Sequence, residues 1–216
     1  METEKKVAVI GLGNIGKAIA QDLTNNNHQV IVASRNKEES DLFAEQSGGL
    51  AESMNISQAI ETAEIIIPAI WFGAFKDFFN EHGNTLKDKI IVDVSNPITP
   101  DGNGGFKKII GEKESAGELN KVILPKGAKL VKAFGTLGAG SLAGASNKSP
   151  EKAVLFYASD DSSINNDIEN VINNAGFDPL RIGGIDQSIR IEVFGDLHEF
   201  GALGKTVSLS EAKSKL

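Results

Sequence analysis

The feature that most limits what this chain can fold into is the run Val7-Ala8-Val9-Ile10-Gly11-Leu12-Gly13-Asn14-Ile15-Gly16, continued by Lys17 to Leu23. An apolar stretch too short for a helix meets a Gly-x-Gly-x-x-Gly string, after which Ile15, Ala18, Ile19 and Leu23 recur at helical spacing. The segment therefore reads as strand, tight turn and helix. Gly11 permits the sharp turn off the strand, Gly13 has no Cβ to hold a pyrophosphate away from the backbone, and Gly16 lets the helix pack closely on the sheet. The helix N-terminus, with its unpaired N–H groups, then faces the phosphates. A turn of this kind is a dinucleotide cradle, and Gly11, Leu12, Gly13, Asn14, Ile15 and Gly16 are its candidate contacts.

Such a cradle belongs to a doubly wound, Rossmann-type α/β fold with a mostly parallel sheet, and 216 residues, 40% of them hydrophobic, can bury the core it needs. Residues 1–150 are expected to form the dinucleotide-binding domain. Residues 151–216 should add sheet-completing strands and a small helix-rich C-terminal part. The net charge of −7 argues against nucleic acid or an anionic membrane as a partner. Lack of cysteine excludes disulfides, thiolate metal sites and a cysteine nucleophile, and the histidines are too scattered to suggest a metal site. No signal peptide or membrane span is visible, so a cytoplasmic location is expected.

A second strand, Gln29 to Arg35, should end beside the adenosine ribose. Where an NAD enzyme usually places a carboxylate, this chain has Ser34 and Arg35, followed by Asn36 and Lys37. A carboxylate would repel a 2′-phosphate, whereas a guanidinium can hold it bidentately, so NADPH is preferred over NADH. The plain alternative is a solvated Arg35 paired with Glu38 or Glu39.

Helices are expected over Lys37 to Gln46 and Ser57 to Ala63, before a strand from Glu64 to Ala69 that is nearly free of polar residues. Ile70 and Trp71 at its end are candidate cofactor contacts, and Phe72 a candidate acceptor contact; Phe75, Phe78 and Phe79 fit a core-facing helical stripe. The strand Lys89 to Val94 leads to Ser95 and Asn96, which could reach the nicotinamide, and to Pro97 on the acceptor side. Pro100 to Gly105, with Asp101, is a substrate-side flap or an insertion. After a helix over Ser115 to Leu124, the strand Lys129 to Phe134 ends at Phe134, Gly135 and Thr136, assigned to the acceptor side. The small, apolar run from Gly135 to Ala145 lets a flat ring approach the backbone, or serves as a flexible crossover. A strand over Ala153 to Ala158, a helix near Ile164 to Ile172 and an edge strand from Asp178 to Gly184 follow. Asp186 to Leu203 should be helix-rich and Lys205 to Leu216 frayed.

The expected strand-end positions are poor in proton-transfer groups, and the nearest, Lys132, lies inside a strand. An alcohol or ketone dehydrogenase needs a positioned acid or base; a flavin-like acceptor needs mainly stacking and alignment. His198, which Asp196 or Glu199 could orient, is the histidine with a suggestive setting, weighed against a surface histidine. No catalytic residue is assigned.

The glycine turn followed by Ala33-Ser34-Arg35, then Val92-Asp93-Val94-Ser95-Asn96-Pro97, Leu124-Pro125, Val131-Lys132-Ala133-Phe134 and Gly176-Phe177-Asp178-Pro179 resemble, in this order, the NADP oxidoreductases dependent on the deazaflavin coenzyme F(420) and their close relatives, which include the reductase domain of membrane ferric reductases. The resemblance runs over nearly the whole chain. It implies NADPH at the glycine turn, Ser34 and Arg35 on the 2′-phosphate, hydride transfer between nicotinamide and a deazaflavin ring in a cleft, and a homodimer. Two positions depart from the family: Leu12 stands where Thr is common, and Gly135 where Asn or His is common. The acceptor is thus open among a deazaflavin, FMN, FAD or another conjugated ring. An NADPH-binding redox-sensing module without catalysis and a ferric- or quinone-type reductase are the alternatives. A hydroxyacid or imine reductase is disfavoured, because such enzymes usually add a larger helical domain.

Overall fold

The computed structural model describes residues 4–216. In chain order its elements are β1 (Val7–Ile10), α1 (Asn14–Asn25), β2 (Val30–Ala33), α2 (Lys37–Gln46), β3 (Ala51–Ser53), α3 (Ile56–Thr62), β4 (Ile65–Pro68), α4 (Phe75–His82), β5 (Ile90–Asp93), β6 (Ile98–Pro100), β7 (Phe106–Lys108), α5 (Ala116–Val122), β8 (Lys129–Lys132), α6 (Ala139–Ala145), β9 (Val154–Ser159), α7 (Asn165–Asn174), β10 (Asp178–Gly183) and α8 (Leu209–Lys213). Eight strands form one sheet in the order β10-β9-β8-β5-β4-β1-β2-β3. Every neighbouring pair is parallel except β8 with β9. This is a Rossmann-like, doubly wound α/β fold whose strand order reverses between β1 and β4, where such sheets open a crevice for ligands.

Alternation along the strands sorts the core into two layers. Val7, Val9, Ile65, Ile67, Ile90 and Val92 pack on one face with α1 and α7, while Ala8, Ile10, Ile66 and Ile91 pack on the other with α3 and α4. The stripe of Phe75, Phe78 and Phe79 is buried in that second layer, with the rings of Phe75 and Phe79 edge to face at 5.5 Å.

The structure departs from the sequence expectation in four places. Beyond Ser47 to Gly49 the chain returns as the edge strand β3, a three-residue element with too little apolar periodicity to show. Pro100 to Gly105 closes an antiparallel hairpin of β6 and β7, its turn held by the Asp101 carboxylate on the Asn103 and Gly105 amides at 2.7 and 2.9 Å. Residues 186–203 hold a 3-10 stretch, Ile185–Ile191, and then turns, rather than an α-helix. Backbone contact is the reason: a Cβ on Gly201 would stand 1.8 Å from the Gly195 carbonyl oxygen, so the loop folds back on itself. The tail is docked rather than frayed, because Val207 and Ala212 cover the face of β9 formed by Val154, Phe156 and Ala158, and a Ser208–Glu211 capping box starts α8. Among the described residues no helix is long and apolar enough to cross a membrane.

One buried charge in this frame yields a testable stability effect. Asp22 on α1 is 4% exposed, its Oδ2 lacks a hydrogen-bond partner among the described residues, and burial pushes its carboxyl up to about 7, partly offset by the Ser146 hydroxyl. An acid whose folded pKa is raised stabilises least where it must ionise, so the penalty grows from pH 4 and is complete above pH 7. Asp22→Asn is expected to stabilise the protein by about 2 kcal/mol at pH 8 and by nothing near pH 4. Thermal melts of both proteins across that range measure it, and a gap independent of pH would contradict it.

Candidate cofactor cleft

The glycine turn assembles as its spacing requires. The Gly11 amide donates to the Ala33 carbonyl at 2.7 Å, and a Cβ there, at φ +96°, would lie 2.8 Å from the Ala69 oxygen. A Cβ on Gly16 would stand 1.9 Å from the Gly11 oxygen, whereas around Gly13 there is open space. Gly13 caps α1 with its backbone alone and no side chain covers the first amides, which leaves them for an anion.

Beside the turn lies a cleft of about 710 Å³ at the carboxyl ends of β1, β4, β5 and β8, a size usual for small-molecule sites. Gly13, Asn14, Ile15, Ile70, Trp71, Ser95, Asn96 and Gly135 line it, all of them expected from the sequence. Phe72, Pro97, Phe134 and Thr136, expected on the acceptor side, do not. Phe134 is fully buried in the core and takes φ +59°, which turns its ring away from the strand end; Pro97 and Thr136 are buried behind the wall, and Phe72 belongs to the short turn before α4.

Beyond the end of β2 Arg35 is exposed and, among the described residues, has no ion-pair partner, so the expected alternative of a pair with Glu38 or Glu39 is absent. Ser34 is drawn inward, its hydroxyl within hydrogen-bonding distance of the Asn36 carbonyl at 2.7 Å and the Glu39 carboxylate at 3.0 Å. Lys37 is turned back onto Asp41 of its own helix and onto the Ser53 hydroxyl.

The far wall is built by residues that local sequence did not mark. The segment after Ile191 brings Val193, His198, Glu199 and Phe200 against the Leu137 to Ser141 backbone. His198 is not a surface histidine: it is 1% exposed, and burial pulls its imidazole down to about 4, with a hydrogen bond to the Gly135 backbone as a partial offset. Its Nδ1 accepts from the Phe200 amide at 2.9 Å. The ring is therefore neutral near pH 7 and ties loops together rather than moving protons. Neither Asp196 nor Glu199 orients it: Asp196 pairs with Arg190 at 2.8 Å, and Glu199 accepts from the Gly138 amide at the start of α6.

Beneath the floor is a charge cluster. Lys132 and Asp93 are fully buried and 3.1 Å apart, and Glu192 lies 3.7 Å from the same ammonium. Glu192 also accepts from the Ala116 and Gly117 amides at 2.8 and 3.0 Å, while burial pushes its carboxyl up. Lys132 donates to the Ser95 carbonyl, and Asn120 to Asp93 at 2.9 Å. The available signal was a charge inside each of two apolar strands.

Residues 6–97 match the family model described as NADP oxidoreductase coenzyme F420-dependent. The chain shares a Rossmann-like α/β fold with solved structures. A hypothetical protein of Sinorhizobium meliloti is 24% identical with a TM-score of 0.81, covering 94% of this chain and 95% of that one. A candidate F420-dependent NADP reductase from an Arthrobacter strain is 19% identical with a TM-score of 0.71, covering 85% and 87%. Among curated sequences, glycerol-3-phosphate dehydrogenase (NAD(P)+) of Listeria monocytogenes is 27% identical over 138 residues, which span 58% of this chain and 41% of that enzyme.

Proposed function

We propose that this protein is an NADPH-dependent oxidoreductase that passes hydride to the flat, conjugated ring of a deazaflavin or flavin. The observation that carries the reading is the make-up of the cleft. It opens directly from the glycine turn, its wall is mostly apolar or backbone, and among the described residues no Lys, Arg, Tyr or Asp lines it. Its one carboxylate, Glu199, is committed to the Gly138 amide, and its histidine to two backbone groups.

NADPH held at the glycine turn would supply a hydride, both electrons included, to the acceptor ring and be left oxidised, with any further proton drawn from solvent. Such a transfer asks the protein for alignment and exclusion of water, not for an acid. Oxidation of a phosphorylated alcohol, such as the glycerol-3-phosphate named for the Listeria relative, would need a cation for the phosphate and a free base for the hydroxyl, and among the described residues the cleft wall offers neither. The exposed rings of Trp71, Phe106 and Phe200 at the rim suit a planar partner.

Stopped-flow oxidation of NADPH against a deazaflavin, FMN, FAD and quinones tests the reading, with turnover expected on at least one tricyclic ring. Arg35→Ala should weaken NADPH roughly thirty-fold, about 2 kcal/mol, and leave NADH unchanged. Tight NADPH binding with no turnover on any acceptor would favour a redox-sensing module instead.

A further inference from the structure

Ser95 stands in the cleft wall just beyond β5 and is 5% exposed. A serine hydroxyl has one proton and two lone pairs. Here the proton is committed, because Oγ donates to Asp93 Oδ1 at 2.7 Å. Asp93 is itself ringed by donors: the Ser95 amide at 2.8 Å, the Asn120 amide group at 2.9 Å and the Lys132 ammonium at 3.1 Å. Turning the hydroxyl toward the cleft would leave this buried bond to Asp93 unmade. Toward the cleft Ser95 is therefore an acceptor.

Of the other polar side chains in the cleft wall, Asn14 and Ser141 belong to α1 and α6, while Asn96, His198 and Glu199 are engaged with backbone groups. Asn96 donates to the Gly135 carbonyl at 3.0 Å and accepts from the Val193 amide at 2.7 Å. His198 accepts from the Phe200 amide of its own loop, and Glu199 from the Gly138 amide at the start of α6. The Ser95 oxygen is thus an open acceptor held in one polarity by buried groups behind it.

We infer that Ser95 is a specificity-determining contact for the carboxamide NH2 of the nicotinamide ring, kept as an acceptor by Asp93 and the Lys132 and Asn120 groups that surround it. This rests on the reading that the nicotinamide end of NADPH enters this cleft. The carboxamide nitrogen only donates, so a fixed acceptor pairs with it and discriminates against an isostere without N–H groups.

Calorimetric titration with three probes tests the assignment: NADP+, its 3-acetylpyridine analogue, in which methyl replaces NH2, and 2′-phospho-ADP-ribose, which lacks the ring. The native protein should bind the analogue about ten-fold more weakly than NADP+, because the analogue leaves the acceptor unpaired. Ser95→Ala should bring the two within about three-fold without changing the affinity for 2′-phospho-ADP-ribose, and Ser95→Thr, which keeps the hydroxyl, should restore the difference. Equal binding of NADP+ and the analogue by the native protein, or discrimination that survives in Ser95→Ala, overturns the Ser95 assignment alone. Failure of the native protein to bind NADP+ and 2′-phospho-ADP-ribose overturns the cofactor reading, and the Ser95 assignment with it.

Discussion

Gly16→Ala is expected to cost the protein both its nucleotide and a large part of its stability. The added Cβ would stand 1.9 Å from the Gly11 carbonyl oxygen and 2.8 Å from the Ala69 Cβ, inside contact distances that no side-chain rotation can relieve. The first turn of α1 must move off the sheet, and the amides it presents move with it. Overpacking of this kind costs on the order of 3 kcal/mol, which for a chain of this size lowers the melting temperature by about 8 °C. NADPH affinity should fall at least about a hundred-fold, since a factor of ten is 1.4 kcal/mol. Gly13→Ala supplies the contrast. Its Cβ meets nothing within 4 Å, so that variant should melt within about 2 °C of the native protein and still lose NADPH, the methyl standing where the diphosphate approaches. Melting curves with calorimetric titrations separate the two, and undiminished NADPH binding by Gly13→Ala would remove the cradle from the nucleotide site.

Lys132→Met carries the second large effect. The ammonium is enclosed with two carboxylates, Asp93 and Glu192, and its removal leaves both buried without a counter-ion. Breaking such a cluster from one side typically costs about 3–5 kcal/mol, or on the order of 10 °C in melting temperature here. The loss should depend on pH. Burial already raises the Glu192 carboxyl, and an acid with a raised folded pKa stabilises the fold as pH falls, so the variant should recover part of its deficit between pH 8 and pH 5. A deficit below about 1 kcal/mol in thermal or urea denaturation at pH 8 would show that the cluster is not holding the floor of the cleft together.

The glycine turn, the buried strands and the helix stripe of Phe75, Phe78 and Phe79 were legible because each is written over consecutive residues at a fixed period. A four-residue strand covered on both faces has to be apolar throughout, and a backbone that must meet a diphosphate has to lack a Cβ, so such features are visible without knowing what lies opposite. The side chains at the strand ends, Ile70, Trp71, Ser95 and Asn96, follow from the same logic, since a doubly wound sheet presents the carboxyl ends of its strands to one crevice.

The far wall obeys no local rule. Val193, His198 and Phe200 reach the cleft because the loop that carries them folds tightly at Gly195 and Gly201 and because Asn96 binds the Val193 amide, contacts made between segments far apart in the chain. The same is true of Lys132, Asp93 and Glu192, whose charges are tolerable only in one another's company. Phe134 shows the converse: at the end of β8 it was expected to face the acceptor, yet its left-handed backbone puts the ring into the core and leaves Gly135 in the wall. The amino-acid order by itself determined the sheet and the side-chain-free turn at the start of α1, since both depend on short-range periodicity and on the absence of side chains. Which polar groups stand free in the cleft was decided only by the folded chain, because a buried donor or acceptor is defined by the partner that occupies it.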